Sequence, residues 1–182
     1  MAQSILAVLR RLNRWVAIAI GLMLLACAGF VLLDIGLRQL GSSFGGTDEI
    51  SGYVMAIATS WGMSYALLEL GHVRIDLLRS RVAAKGRAMF DLFALLVLSG
   101  TVTLIALKSW PVLARSLANG SRANTPLETP LALVQGPWLA GWIWFALTAW
   151  VTFAAALLLV LRGEFAQSEA AIGAFGEEEA VL

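Results

Sequence analysis

"WLAGWIWFALTAWVTFAAALLLVL", Trp138–Leu161, is 24 residues long and carries no charged side chain. About 20 consecutive apolar residues are enough for a helix to cross the hydrocarbon core of a bilayer. Three more windows in the chain read the same way. Trp15–Leu37 holds one charge, Asp34; Ile50–Leu70 holds Glu69 at its end; Met89–Leu107 holds Asp91 near its start. The whole chain of 182 residues is 59% hydrophobic and 14% charged, against about 25% charged in an ordinary globular domain. Too few residues remain to cover four such segments as soluble core helices. Helices satisfy their own backbone hydrogen bonds, which lipid cannot do. The expected fold is an all-α integral membrane protein with four transmembrane helices, forming one membrane domain over residues 1–162.

Orientation follows from lysine and arginine, which are retained on the cytoplasmic side. Arg10, Arg11 and Arg14 precede the first span. Arg74, Arg79, Arg81, Lys85 and Arg87 lie between spans two and three, and Arg162 follows span four. Only Arg38, Lys108, Arg115 and Arg122 fall on the other side. Nine against four places both termini in the cytoplasm. Residues 163–182, with Glu177, Glu178 and Glu179, read as an acidic, mobile tail. The first span resembles a cleaved signal around Ala26–Ala28, but its apolar run continues to Leu37, too long for a signal's apolar region.

Tryptophans mark the boundaries. Trp15, Trp110, Trp138 and Trp142 suit the membrane interface, whereas Trp61, Trp144 and Trp150 lie deeper and are expected to pack against other helices. Span two has small residues every four positions, at Gly52, Ala56, Ser60 and Ser64, with Ala58, Gly62 and Ala66 in a second row. Such rows let helix backbones approach closely, and span two is expected to be the central packing helix. Asp34 and Arg38 are four apart and are read as an ion pair on one face, with cation or proton binding by Asp34 as the functional alternative. Asp91 suits the start of its helix, where the dipole favours a carboxylate. Pro111, Pro126, Pro130 and Asn119-Gly120 mark Lys108–Pro130 as an outer loop.

The composition excludes much chemistry. One histidine, His72, cannot make a bis-histidine haem, and the one cysteine, Cys27, cannot make an internal disulfide or, with His72 alone, a zinc site. No phosphate-binding glycine loop occurs. No charge occupies the middle of a span, where a self-sufficient proton-coupled exporter is expected to carry one. No cofactor and no enzymatic activity are expected. His72, Asp76 and Arg79 share one face if helix continues past Leu70, which reads as an amphipathic segment at the cytoplasmic interface after the second span.

These features together resemble the small membrane subunit (Q-type, DctQ-like) of tripartite ATP-independent periplasmic (TRAP) transporters. The residues that carry the resemblance are Arg38 closing span one; "SFGGTDEISGY", Ser43–Tyr53, with Asp48 and Glu49; "SWGMSYALLELGHVRIDLL", Ser60–Leu78, with Trp61, His72, Arg74 and Asp76; and "TPLETPLALVQGPW", Thr125–Trp138. Leu68 and Leu70 stand where many members carry Arg and Gly. The resemblance implies a scaffold in the bacterial inner membrane, paired with a large multi-span permease. That partner carries the substrate and sodium sites, and a periplasmic binding protein delivers an organic acid. Structural and partner-contact roles are expected for Asp34, Arg38, Asp48, Glu49, the Gly52–Ser64 row, Trp61, His72, Arg74 and Asp76. The alternatives are a stand-alone homo-oligomeric channel or small exporter, for which spans three and four lack a polar stripe, and a membrane-anchored redox enzyme, for which ligands are lacking.

Overall fold

The computed structural model describes residues 2–72 and 79–173. They form α1 (Ala2–Gln39), α2 (Thr47–Leu68), a short 3₁₀ turn at Arg79–Arg81, α3 (Ala84–Asn119), α4 (Leu131–Leu161) and α5 (Phe165–Ile172). No strand forms among the described residues; one isolated bridge joins Arg122 to Pro130. Three of the helices, α1, α3 and α4, are long and apolar enough to cross a membrane. The 22-residue α2 is not among them, because Thr47, Asp48, Glu49, Ser51, Thr59, Ser60 and Ser64 dilute its apolar content.

The helices are longer than the apolar windows. At about 1.5 Å per residue, the 38 residues of α1 reach about 57 Å and the 36 of α3 about 54 Å. Lys108–Asn119 is therefore not loop but the C-terminal end of α3, with Pro111 inside the helix; Pro137 likewise lies inside α4. In a long helix packed on neighbours, one proline removes a single backbone donor and kinks the helix without ending it. The loop contracts to residues 120–130. Ala123 N–H donates to the Thr129 carbonyl at 2.9 Å and Leu131 N–H to the Ser121 carbonyl at 3.0 Å.

All four long helices stop in the same way. A 6→1 and a 5→2 backbone bond close each C-terminus: Ser42→Leu37 with Gly41→Arg38, Gly71→Ala66 with Leu70→Leu67, Ser121→Ser116 with Gly120→Leu117, and Glu164→Leu159 with Gly163→Val160. The left-handed residue in this motif is normally glycine, as at Gly41, Gly120 and Gly163. In α2 it is Leu70, at φ 56°. The helix therefore does not persist past Leu70, and His72 lies in a bend. The expected common helical face of His72, Asp76 and Arg79 does not form at its first member; Asp76 itself lies outside the described residues.

The packing centre is α4, not α2. It touches α1, α2, α3 and α5, whereas α2 packs on α1 and α4 alone among the principal contacts. The main apolar cluster gathers Leu67 of α2, Leu95 and Val102 of α3, Phe145, Ala149, Ala155, Ala156 and Leu159 of α4, and Ile172 of α5. Ala2 and Leu6 of α1 join it. Residues 165–172, expected as part of a solvated tail, form α5 and pack against α3 and α4, with Ile172 1% exposed. Ala171 and Ile172 find apolar surface there, which a sequence pattern of eight residues does not announce. Glu177, Glu178 and Glu179 lie outside the described residues.

Candidate functional site

Polar side chains gather at three levels of the bundle. Near the C-terminal end of α1, Asp34 is 1% exposed. Arg38 Nε donates to its Oδ2 at 2.8 Å, Ser43 Oγ to Oδ1 at 2.9 Å, and Phe44 N–H to Oδ1 at 2.8 Å. The carboxylate thus draws residues 40–46 back over α1, where Phe44 stacks on Phe30 at 5.4 Å between ring centroids. This is the structural pairing of Asp34 and Arg38 rather than an open cation site. Among the described residues no group of three His, Cys, Asp or Glu gathers that could hold a metal ion.

The first turn of α2 faces the other outer loop. Asp48 is exposed, while Glu49 accepts from Tyr53 Oη at 2.7 Å. The Thr125 hydroxyl, then that of Tyr53, hold the Glu49 carboxyl below its ordinary range, with Thr129 and the Leu127 N–H adding to them against partial desolvation. Leu127 closes on Gly46, whose φ of 68° and lack of a side chain admit it. Glu49 thus sits where the first turn of α2 meets the α3–α4 loop.

In the middle, indoles bolt α4 to its neighbours. Trp61 Nε1 of α2 donates to the Pro137 carbonyl at 2.9 Å, Trp144 Nε1 to Asn13 Oδ1 of α1 at 3.0 Å, and Trp150 Nε1 to Thr103 Oγ1 of α3 at 2.9 Å. Trp61 and Trp144 also stack at 6.5 Å. The three tryptophans expected to pack between helices do so. The small-residue row splits: Ser60 and Ser64 are fully buried, Ala56 is half-buried and Gly52 is exposed. Ser60 lies where Gly141 of α4 has no side chain, so the two backbones meet closely. Ser60 Oγ donates to the Ile57 carbonyl at 2.9 Å and Ser64 Oγ to that of Trp61 at 2.7 Å, so neither needs water.

At the inner end, Arg79 grips Asp91 of α3 with both Nε, at 2.9 Å, and Nη2, at 3.0 Å. Its Nη2 also donates to Glu169 Oε1 of α5 at 2.8 Å, and Arg87 Nε lies 3.3 Å from the same carboxylate. The carboxylates raise the Arg79 pKa further, Asp91 foremost. Sequence spacing does not reveal this network, since Arg79 and Asp91 are 12 residues apart and Arg79 and Glu169 are 90 apart. Asn13 and Gly141 were equally silent in the sequence. His72 lies against Phe145 of α4, ring centroids 6.2 Å apart. Arg74 and Asp76 lie outside the described residues.

Asn13, Asp91 and the three indoles thus join one helix to another, buried serines such as Ser60 and Ser99 bond within their own helices, and the apolar stretches of α1 and α3 stay exposed, with Leu25 71%, Leu32 68% and Phe93 66% exposed. That combination fits a membrane bundle that braces rather than reacts. No curated protein and no solved structure matches the chain. Residues 27–162, from the middle of α1 to the end of α4, match the family described as tripartite ATP-independent periplasmic transporters, DctQ component. The chain belongs to that family, the DctQ component of the TRAP transporters.

Proposed function

We propose that this chain is the bracing subunit of an ion-gradient-driven importer of an organic acid, holding a large translocating permease in the inner membrane. A DctQ component is a transporter subunit and not an enzyme. The observation that carries the bracing role is the set of three indole bonds from α1, α2 and α3 to α4, a frame in which polar groups hold helices together. The family implies the rest: a large permease with the substrate and coupling-ion sites, and a periplasmic binding protein that delivers the acid.

In this reading α2 is the fourth span and both termini are cytoplasmic. At about 1.5 Å per residue its 22 residues reach about 33 Å, enough for a core of about 30 Å. Its buried hydroxyls bond within the helix, which removes the main objection to their placement in lipid. The arginine and lysine balance supports the orientation. The free half of the small-residue row, exposed Gly52 and half-buried Ala56, is offered to a helix of the large permease, and the segment with His72, Arg74 and Asp76 to its cytoplasmic side.

Co-expression with the large permease tests the proposal. A stable complex that imports an organic acid in proteoliposomes, with neither chain active alone, is the expected result. Solute flux through this chain alone would instead support a self-sufficient channel. Gly52→Leu is expected to weaken the complex while leaving the isolated subunit folded. Single cysteines at Gln3 and Ser121, in a Cys27→Ser background, are expected to label from opposite sides of the membrane.

A further inference from the structure

The charge-free stretches of α1 and α3 do not lie side by side in the bundle. That of α1 opens at Trp15, and just before it Trp144 of α4 donates to Asn13 at 3.0 Å. Further back along α1, Val8 and Leu12 share a groove with Val151, and Gln3 lies beside Leu159 and Arg162. The first turns of α1 thus run along the second half of α4. On another flank of α4, Trp150 donates to Thr103 of α3 at 2.9 Å, and Leu107 lines a groove with Ile143, Leu147 and Trp150. Arg14 therefore stands at the same height along α4 as Lys108, to within about one helical turn.

Arginine and lysine counts put Arg14 on the cytoplasmic side and Lys108 on the other. An upright bundle does not keep the two apart. With the inner surface of the bilayer at Leu161, Arg14 lies about 26 Å into a core of about 30 Å, and Arg10 and Arg11 follow within about a turn. All three are exposed, so their charges face hydrocarbon at that depth. With the inner surface at Trp15 instead, the inner halves of α3 and α4 stand in water, where Phe93 is 66%, Val97 52% and Leu161 74% exposed. Water-facing surfaces do not carry so long an apolar face.

We infer that the bundle lies inclined in the bilayer by about 40°, its α1 flank lowered toward the cytoplasm and its α3 flank raised, against an average of about 20° for membrane helices. α1 and α3 each pack on α4 and not, among the principal contacts, on one another, so two interhelical spacings put about 18 Å between them. Inclination of this size sets Arg14 about 12 Å nearer the cytoplasm than Lys108. The two flexible side chains, extending toward opposite surfaces, widen the gap further. Helix lengths agree. Upright, the 38 residues of α1 and the 36 of α3 overreach a bilayer of about 40–45 Å with its headgroups; inclined, they cover about 44 Å and 41 Å. The shorter α2 covers about 25 Å, with Asp48–Glu49 and Glu69 at its two ends. The buried cluster of Ala2, Leu6, Ala155, Ala156 and Leu159 then forms a small protein core at the cytoplasmic surface.

The inference rests on α4 spanning the membrane with residue 3 on the cytoplasmic side, which the Gln3 and Ser121 labelling tests separately. Two measurements on the full chain in phosphatidylcholine–phosphatidylglycerol bilayers test the inclination itself. Polarised infrared dichroism of the wild type in oriented layers is expected to give a mean helix tilt of about 40°; a mean of about 20° or less overturns the inference. Val8 and Leu104 supply the second measurement. They are 60% and 59% exposed, and each stands beside the same turn of α4, Val8 at Val151 and Leu104 next to Thr103 on Trp150. Spin labels on Val8→Cys and Leu104→Cys, each in a Cys27→Ser background, report depth through collisions with oxygen and with a water-soluble nickel chelate. In the inclined bundle Val8 lies at the cytoplasmic headgroups and collides with nickel, while Leu104 lies in hydrocarbon and collides several-fold more with oxygen. Equal oxygen-to-nickel ratios at the two positions show an upright bundle and overturn the inference.

Discussion

Individual residues hold this bundle through a few directional contacts rather than through chemistry of their own. Glu49 is the clearest case, because its carboxylate accepts from Tyr53 and faces the Thr125–Thr129 loop. Those donors favour the charged form, so its folded pKa lies below the ordinary 4.5. A depressed carboxylate contributes stability that is fully present above the unfolded value and is lost as pH falls through the folded one. The melting temperature of wild type is therefore expected to exceed that of Glu49→Gln at pH 7, and the gap to close as pH is lowered below about 4.5. A gap independent of pH across that window refutes the assignment. The acidic pair Asp48–Glu49 was legible in the sequence as the start of a helix. That Glu49 and not Asp48 is engaged was not, because the Thr125–Thr129 loop it faces lies about 75 residues away.

Among the elements, α4 bears the packing although α2 carries the sequence pattern that points to it. Rows of small residues show where a backbone can be approached, without showing what approaches. Here half the row meets α4 at Gly141 and the other half remains exposed. A methyl group at Gly141 meets Ser60 Oγ and lies 2.8 Å from Ser60 Cβ and 2.7 Å from Trp61 Cδ1. Gly141→Ala is expected to force the helices apart and destabilise the bundle by about 1–3 kcal/mol. Loss of the tryptophan fluorescence shift from the Trp61–Trp144 stack provides the measurement. An unchanged thermal midpoint and spectrum shows that the α2–α4 seam is not close-packed.

For the whole molecule, the inner end depends on one cation. Arg79 joins the 3₁₀ turn to α3 through Asp91, 2% exposed, and to α5 through Glu169. Removing one partner of a buried pair leaves the other charge uncompensated, at about 3 kcal/mol or more. Arg79→Met is expected to release α5, read as new proteolytic cleavage at residues 165–172 and a lower melting temperature. Asp91→Asn in the same chain is expected to restore part of the loss, which a general unfolding does not. The sequence by itself determined the solvent of this protein: apolar runs of membrane length leave a helix as the only economical backbone. It also made the family legible through Ser43–Tyr53, Ser60–Leu78 and Thr125–Trp138. Only the tertiary structure decided that α4 is the centre, that α5 closes the inner end and that the first turns of α1 lie against the bundle. Those outcomes rest on contacts between residues far apart in the chain, where hydropathy is uniform and reports burial from water without saying which apolar neighbour, lipid or helix, provides it.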